Sequence, residues 1–162
     1  MAILLPLLAS GCNYGFQSGT GFVGVRTIAV LPFENETTRL ELTQEMHELM
    51  LRRLPRALGL RPAGEDVADV VVRGMITGYS LNSPNYRPGG AAGDRPQVLQ
   101  RQVTVTVSVE IVDLRGNVIL WEERTLRAEG QYLEASENEE VGKLAALDLM
   151  VQRIVDGAQS NW

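Results

Sequence analysis

Few side chains in this sequence are of a kind that does chemistry, and their spacing limits what that chemistry could be. There is one cysteine, Cys12, and one histidine, His47. A single thiol forms no internal disulfide. One Cys and one His, far apart along the chain, cannot supply the four nitrogen or sulfur ligands of a structural zinc site. His47 lies between Glu45 and Glu48 in a helical stretch and reads as a surface or packing residue, not as a base. Glu122 and Glu123 are neighbours in a strand-like run, so they face opposite sides of a sheet and cannot share a substrate. Glu137, Glu139 and Glu140 are crowded together, but at the start of a helical pattern the helix dipole accounts for them. They lack the ligand pattern of a calcium loop. No G-x-S-x-G elbow, phosphate-binding loop or H-E-x-x-H pair is present. The residues predict no catalysis, no metal and no cofactor.

The cations are fourteen arginines and one lysine, Lys143, in a chain of 162 residues with a formal net charge of −5. A general nucleic-acid binder would be basic, so no nucleic-acid partner is predicted, and any anion recognition must be local. Hydrophobic residues make up 44% and charged residues 22%, which suits one globular domain with a buried core.

Cys12 stands in an informative place. Residues 1–11 form an apolar run that ends in the small pair Ser10-Gly11, and it is too short to span a bilayer. A short apolar region with small residues before a cleavage point is the pattern of a secretory signal. With Cys12 next, it resembles the lipobox of bacterial lipoproteins. That resemblance implies cleavage before Cys12, diacylglycerol on its thiol and acylation of the new amine. Several acyl chains give stable anchoring where one gives marginal binding. Ala9 stands where a lipobox usually has leucine, and the usual basic stretch before the apolar run is absent. Residues 12–24, rich in Gly and Ser, read as a flexible tether, and 25–162 as the folded domain.

The elements of that domain follow from periodicity. Val25 to Phe33 is an apolar run of strand length. Glu34 to Thr37 reads as a turn, and Thr38 with Glu41 has capping-box spacing. Leu42, Met46, Leu49, Met50 and Leu54 form one helical stripe, which Pro55 and Gly59 should end. Ala68 to Leu81 reads as a second main strand, with a short extra strand near Leu60-Arg61. Residues 82–97, with three prolines and paired glycines, read as a long irregular loop. Val103, Val105, Val107, Val109 and Ile111 alternate with Gln102, Thr104, Thr106, Ser108 and Glu110, the pattern of a strand with one buried and one wet face. A turn at Asp113–Asn117 and a strand from Val118 to about Gln131 complete a hairpin. Ser136 and Glu139 have a second capping-box spacing. Val141, Leu144, Leu147, Val151, Ile154 and Ala158 mark the face of a last helix. The predicted fold is α+β: a two-layer sandwich with both helices on one face of a four-stranded mixed sheet, in the order β-α-β-β-β-α.

Taken together, Cys12-Asn13-Tyr14-Gly15-Phe16 and Arg26-Thr27-Ile28-Ala29-Val30-Leu31-Pro32-Phe33-Glu34-Asn35-Glu36-Thr37 resemble the LptE family of lipopolysaccharide-assembly lipoproteins. Ala68 to Gly74 is similar to the family's second main strand. The Val103 to Asp113 strand, Val118-Ile119-Leu120-Trp121 and the last helix follow in the family's order. The resemblance implies a lipoprotein that plugs and helps assemble a large outer-membrane β-barrel, LptD, and that contacts lipopolysaccharide in transit. Asn13, where an inner-membrane lipoprotein often has Asp, implies the outer membrane. In the family, a basic residue before the long central strand contacts the lipid phosphates. The nearest match is Arg95, with Arg87 and Arg101 beside it. A second basic position falls near Ser136 or Glu137, where the charge is missing, and Lys143 lies about two turns further on. The Ile28 to Asn35 segment also resembles periplasmic lipoproteins related to a secretion-pore subunit and to cell-wall-synthase activators, which is the alternative reading.

Overall fold

The computed structural model describes residues 24–87 and 97–160. Cys12, the leader and the tether lie outside them, as does Arg95. The elements are β1 (Thr27–Val30), β2 (Glu34–Asn35), α1 (Glu41–Ala57), β3 (Arg61–Pro62), a short 3-10 turn (Glu65–Val67), β4 (Val70–Arg87), β5 (Gln97–Asp113), β6 (Val118–Leu133) and α2 (Glu139–Gln159). The sheet order is β3-β1-β4-β5-β6, with β2 paired to β4. β1 lies parallel to both β3 and β4, whereas β5 runs antiparallel to both β4 and β6.

The mixed sheet and its two helices match the expected class, but the strand count does not. The sheet has six strands rather than four, because β2 and β3, two residues each, join it. The turn expected at Glu34–Thr37 therefore begins as a strand, and only its second half turns, held by the Asn35 side chain accepting from Thr37 N at 2.9 Å. Of the loop expected over 82–97, Asn82–Arg87 and Gln97 are strand, and residues 88–96 lie outside the described residues. β4 runs on to Arg87, which pairs with Gln97. Register shifts between Asn82 and Tyr86 absorb Pro84, because an irregular position does not need the missing N–H.

Helix ends also depart from the expected signals. Thr38 does not cap α1, which starts after Leu40 with no side-chain cap. α2 is capped by Asn138, not Ser136, through Asn138 Oδ1 accepting from Val141 N at 3.3 Å. Pro55 lies inside α1, in its last turn, where the lost N–H costs one bond. The helix then ends as expected at Gly59, whose φ of +67° suits a residue without Cβ. Gly59 N donates to Arg56 O at 3.2 Å and Leu60 N to Pro55 O at 2.8 Å, the bond pair of a Schellman end.

One core joins the two layers. Val103, Val105, Val107, Val109 and Ile111 are at most 3% exposed and meet Leu42, Met46, Met50 and Leu54 of α1 and Leu147, Met150, Val151 and Ile154 of α2. Full burial of each such side chain contributes about 1.5–3 kcal/mol. The α2 stripe is rotated from expectation. Val141 and Leu144 are 44% and 47% exposed, while Gly142, Ala146 and Met150 face inward. The opposite sheet face is polar along most of its length, with one apolar patch of Ala29, Val71 and Val112.

Glycines set how closely α2 approaches. A Cβ on Gly130 would stand 2.0 Å from Gly142 O and 2.5 Å from Ala146 N, and one on Gly157 would stand 2.4 Å from the Trp121 ring. Gly130→Ala should therefore cost about 2 kcal/mol, because the obstacle is backbone that has to move. Gly116→Ala, whose nearest neighbour would be a Val118 methyl at 3.5 Å, should be near neutral. Guanidinium unfolding of both variants checks this, and equal midpoints would contradict it.

Candidate functional site

The three long strands project past the first turn of α2. Gly142, near the start of α2, sits on Gly130, Tyr132 and Val103. The segments Asn82–Arg87 and Gln97–Gln102 thus lie beyond the helical layer as an uncovered hairpin end. A 17-residue strand such as β5 is about 55 Å long, so this projection is a large part of the molecule.

The two faces of this end differ. The face continuing the polar side carries an amide ladder. Asn85 Nδ2 donates to Gln100 Oε1 at 2.5 Å, Gln100 Nε2 to Gln131 Oε1 at 2.6 Å, and Gln131 Nε2 to Gln102 Oε1 at 3.4 Å. Thr104 and Thr106, half-buried, continue it, and Arg73 and Glu110 close it with an ion pair. By register, Leu133, 50% exposed, stands on that polar face opposite Gln100, whereas the face continuing the helix side carries Leu81 and Leu99, which are 37% and 40% exposed. Among them stands Arg101.

Arg101 is held by Glu134 through Nε and through Nη2, the latter at 3.1 Å from Oε1. The bonds to Glu134 raise the Arg101 pKa further. A guanidinium has five N–H donors, so one carboxylate leaves donors for a second anion. Arg87 ends β4 at the same end, by its backbone pairing with Gln97. Arg87 and Arg101 thus lie on adjacent strands of one hairpin, with the residue that pairs with Arg87 four positions before Arg101 along β5.

Lys143 is placed elsewhere. It is 5% exposed, inside the interface of α1 and α2. Its ammonium donates to Glu45 Oε1 at 2.7 Å and lies 2.9 Å from Glu140 Oε2. Burial pulls its pKa down, but the bonds to the two carboxylates outweigh that and leave it above the ordinary value. The lysine that lay two turns past the family's basic position is thus occupied in joining the helices. Arg53 does the same further along, at 2.7 Å from Asp148.

A second polar cluster escaped the sequence reading. Tyr79 of β4 donates to Glu139 Oε1 at 2.6 Å, Arg39 lies 2.5 Å from the same oxygen, and the Arg39 guanidinium sits 5.2 Å from the Tyr79 ring centroid. Burial and the hydrogen bond to Glu139 push the Tyr79 hydroxyl pKa well above its usual range. The three residues come from a pre-helix turn, a strand and a helix start, and no local spacing links them. Glu139, read from the sequence as a helix-dipole residue, also ties α2 to the sheet. His47 is half-buried, and its Nδ1 has no partner.

These features define a class: a small two-layer α+β domain with a sealed helical side, a polar sheet side and a projecting charged hairpin. The fold recurs at low identity. The CT253 protein of Chlamydia trachomatis is 17% identical, with 84% of this chain and 94% of that one covered and a TM-score of 0.53. A minor lipoprotein from Acinetobacter baumannii is 19% identical over 85% and 94%, with a TM-score of 0.51. The PelC dodecamer from Paraburkholderia phytofirmans is 14% identical over 84% and 89%, with a TM-score of 0.50. No curated protein sequence matches the chain. The family model LptE, lipopolysaccharide-assembly, matches residues 25–157, and the chain belongs to that family. It is an LptE-like lipoprotein of lipopolysaccharide assembly, from a non-enzymatic family.

Lys143→Met keeps the packed stem and removes the charge, leaving the Glu45 carboxylate, one oxygen of which is buried without a partner, facing no cation. Both carboxylates retain water, so the loss should be about 1–2 kcal/mol, below that of a fully buried pair. Urea denaturation measures it. An unchanged midpoint would mean that the ion pairs contribute nothing.

Proposed function

We propose that this protein is an outer-membrane lipoprotein, anchored through Cys12 on the periplasmic side, that occupies the lumen of an LptD-like β-barrel, assists its assembly and takes part in lipopolysaccharide delivery. The observation that carries this reading is the sidedness of the sheet, joined to the family match over residues 25–157. One face is sealed by two helices; the other presents amides, threonines and ion pairs that a hydrated barrel lumen can accept. It acts by binding, without catalysing a reaction.

Lipopolysaccharide phosphates would meet the arginines of the hairpin: Arg101 beside the half-exposed Leu81 and Leu99, with Arg87 and Arg95. Guanidinium forks suit phosphate, and the leucines suit acyl chains. Lys143 is left out of this contact, because its ammonium is buried between two carboxylates.

Crosslinking in the intact envelope, followed by detergent extraction, should recover the protein one-to-one with a large β-barrel. A ring of copies, as in the PelC dodecamer, would overturn the proposal in favour of the pore-subunit alternative. Within the recovered complex, Arg95→Glu should reduce lipopolysaccharide retention severalfold with an unchanged melting temperature. Undiminished retention would remove Arg95 from the contact.

A further inference from the structure

Arg101 carries a carboxylate partner that the end of β6 holds in place. The strand closes at Leu133, but its pairing runs one residue further, with Glu134 N donating to Leu99 O at 3.3 Å. Tyr132 pairs with Arg101, so strand alternation puts Glu134 on the same face as that arginine. The carboxylate takes Nε and one proton of Nη2, the two donors on the side edge of the guanidinium. The end edge, with Nη1 and the second proton of Nη2, has no partner among the described residues. The side chains of the pair are 32% and 39% exposed, so an incoming anion can reach both.

The turn after β6 fixes the backbone of this carboxylate. Leu133 O accepts from Ser136 N at 3.2 Å and from Glu137 N at 2.9 Å, Glu137 Oε2 accepts from Leu133 N at 2.6 Å, and Asn138 caps α2. The neighbouring carboxylates are committed elsewhere, Glu137 to that amide and Glu139 to Tyr79 and Arg39. Glu134 is thus the anion that faces Arg101. Its hydrogen bond and its charge are the chief causes that raise the Arg101 pKa, and Glu139 adds a lesser pull. Arg101 and Glu134 therefore cancel at a distance, and the arginine attracts a phosphate only near contact. Stability gives the pair little reason to exist, because a half-exposed ion pair at a strand end contributes little to folding.

We infer that Glu134 is a built-in competitor for the lipid phosphate at Arg101, and that it sets how long lipopolysaccharide is held. The inference rests on the proposed contact between Arg101 and lipid phosphate. A carboxylate fixed beside its arginine acts at the high effective concentration of an intramolecular ligand. A phosphate that takes the end edge of the guanidinium meets the negative charge of Glu134, and one that takes the side edge has to displace it. When the lipid leaves, Glu134 recaptures the donors, so release leaves no N–H stranded without a partner. Transit requires a contact of this kind, one that places the phosphate and then gives it up.

The test uses the full chain as extracted from the envelope in a neutral detergent. Dissociation rates are measured for phosphorylated lipid A and for the same lipid A after phosphatase treatment. Glu134→Gln keeps the size of the side chain and removes its charge. It should slow release of phosphorylated lipid A about fivefold, near what an exposed ion pair is worth, and leave release of the phosphatase-treated lipid unchanged. Tighter retention is a change that a merely structural loss does not give. Arg101→Gln should speed release of the phosphorylated lipid, and adding Glu134→Gln to it should change nothing further. Glu129→Gln, which removes a charge on the opposite face of β6, should match the parent. Equal or faster release from the Glu134→Gln variant would overturn the inference. So would the same gain in the absence of Arg101, since the charge would then act through the general field. If the parent and the Glu134→Gln variant both release the two lipids alike, the lipid-contact reading falls with the inference. If the parent tells the lipids apart and the variant merely equals it, the inference falls alone.

Discussion

The contact between α2 and the valine row of β5 is the constraint from which the rest of the structure follows. Five alternate residues from Val103 to Ile111 lose nearly all their solvent exposure only because two helices lie across them. Helix and sheet come that close because Gly130, Gly142 and Gly157 offer no Cβ where the backbones or the Trp121 ring pass. Once that face is sealed, period-two alternation forces Gln102, Thr104, Thr106 and Glu110 onto the other face. The polar surface on which the proposed function depends is thus a consequence of core packing.

Polarity along the strands matters as much as polarity across the sheet. The helices cover the sheet from the chain entry to about the level of Tyr132, and the strands continue beyond them. One end therefore holds the entry strand, both helix ends and the arginines of residues 49–64, and the other holds the amide ladder on one face and Leu81, Leu99 and Arg101 on the other. Ion pairs between α1 and α2, through Lys143 and Arg53, fix the two helices to each other. The Tyr79–Glu139–Arg39 cluster fixes them to the sheet.

The sequence shows most where physics is local. The alternation of β5, the α1 stripe and the Gly59 stop depend on neighbours in the chain, and each lies where periodicity places it. Expectations fail where a distant partner decides. Val141 and Leu144 sit at helical spacing but face solvent, because Gly142 and Ala146 are what β6 can accommodate at close range. β2 is a strand only because β4 passes beside it. The prolines and glycines of 82–97 suggest a loop, yet tertiary pairing carries β4 through Pro84 by a register shift. For the site, arginine positions were legible as charges near the hairpin, whereas the occupation of Lys143 was not, since Glu45 lies 98 residues away.

The central claim is that the polar sheet face is the surface that meets the host barrel. A photo-crosslinking amino acid at Thr106, in the middle of that face and clear of the core, tests it in the intact envelope. The account predicts an adduct with a large β-barrel protein, formed in parent cells and lost when the barrel is depleted. An adduct between two copies of this chain, or none at all while the protein remains folded and anchored, would contradict it.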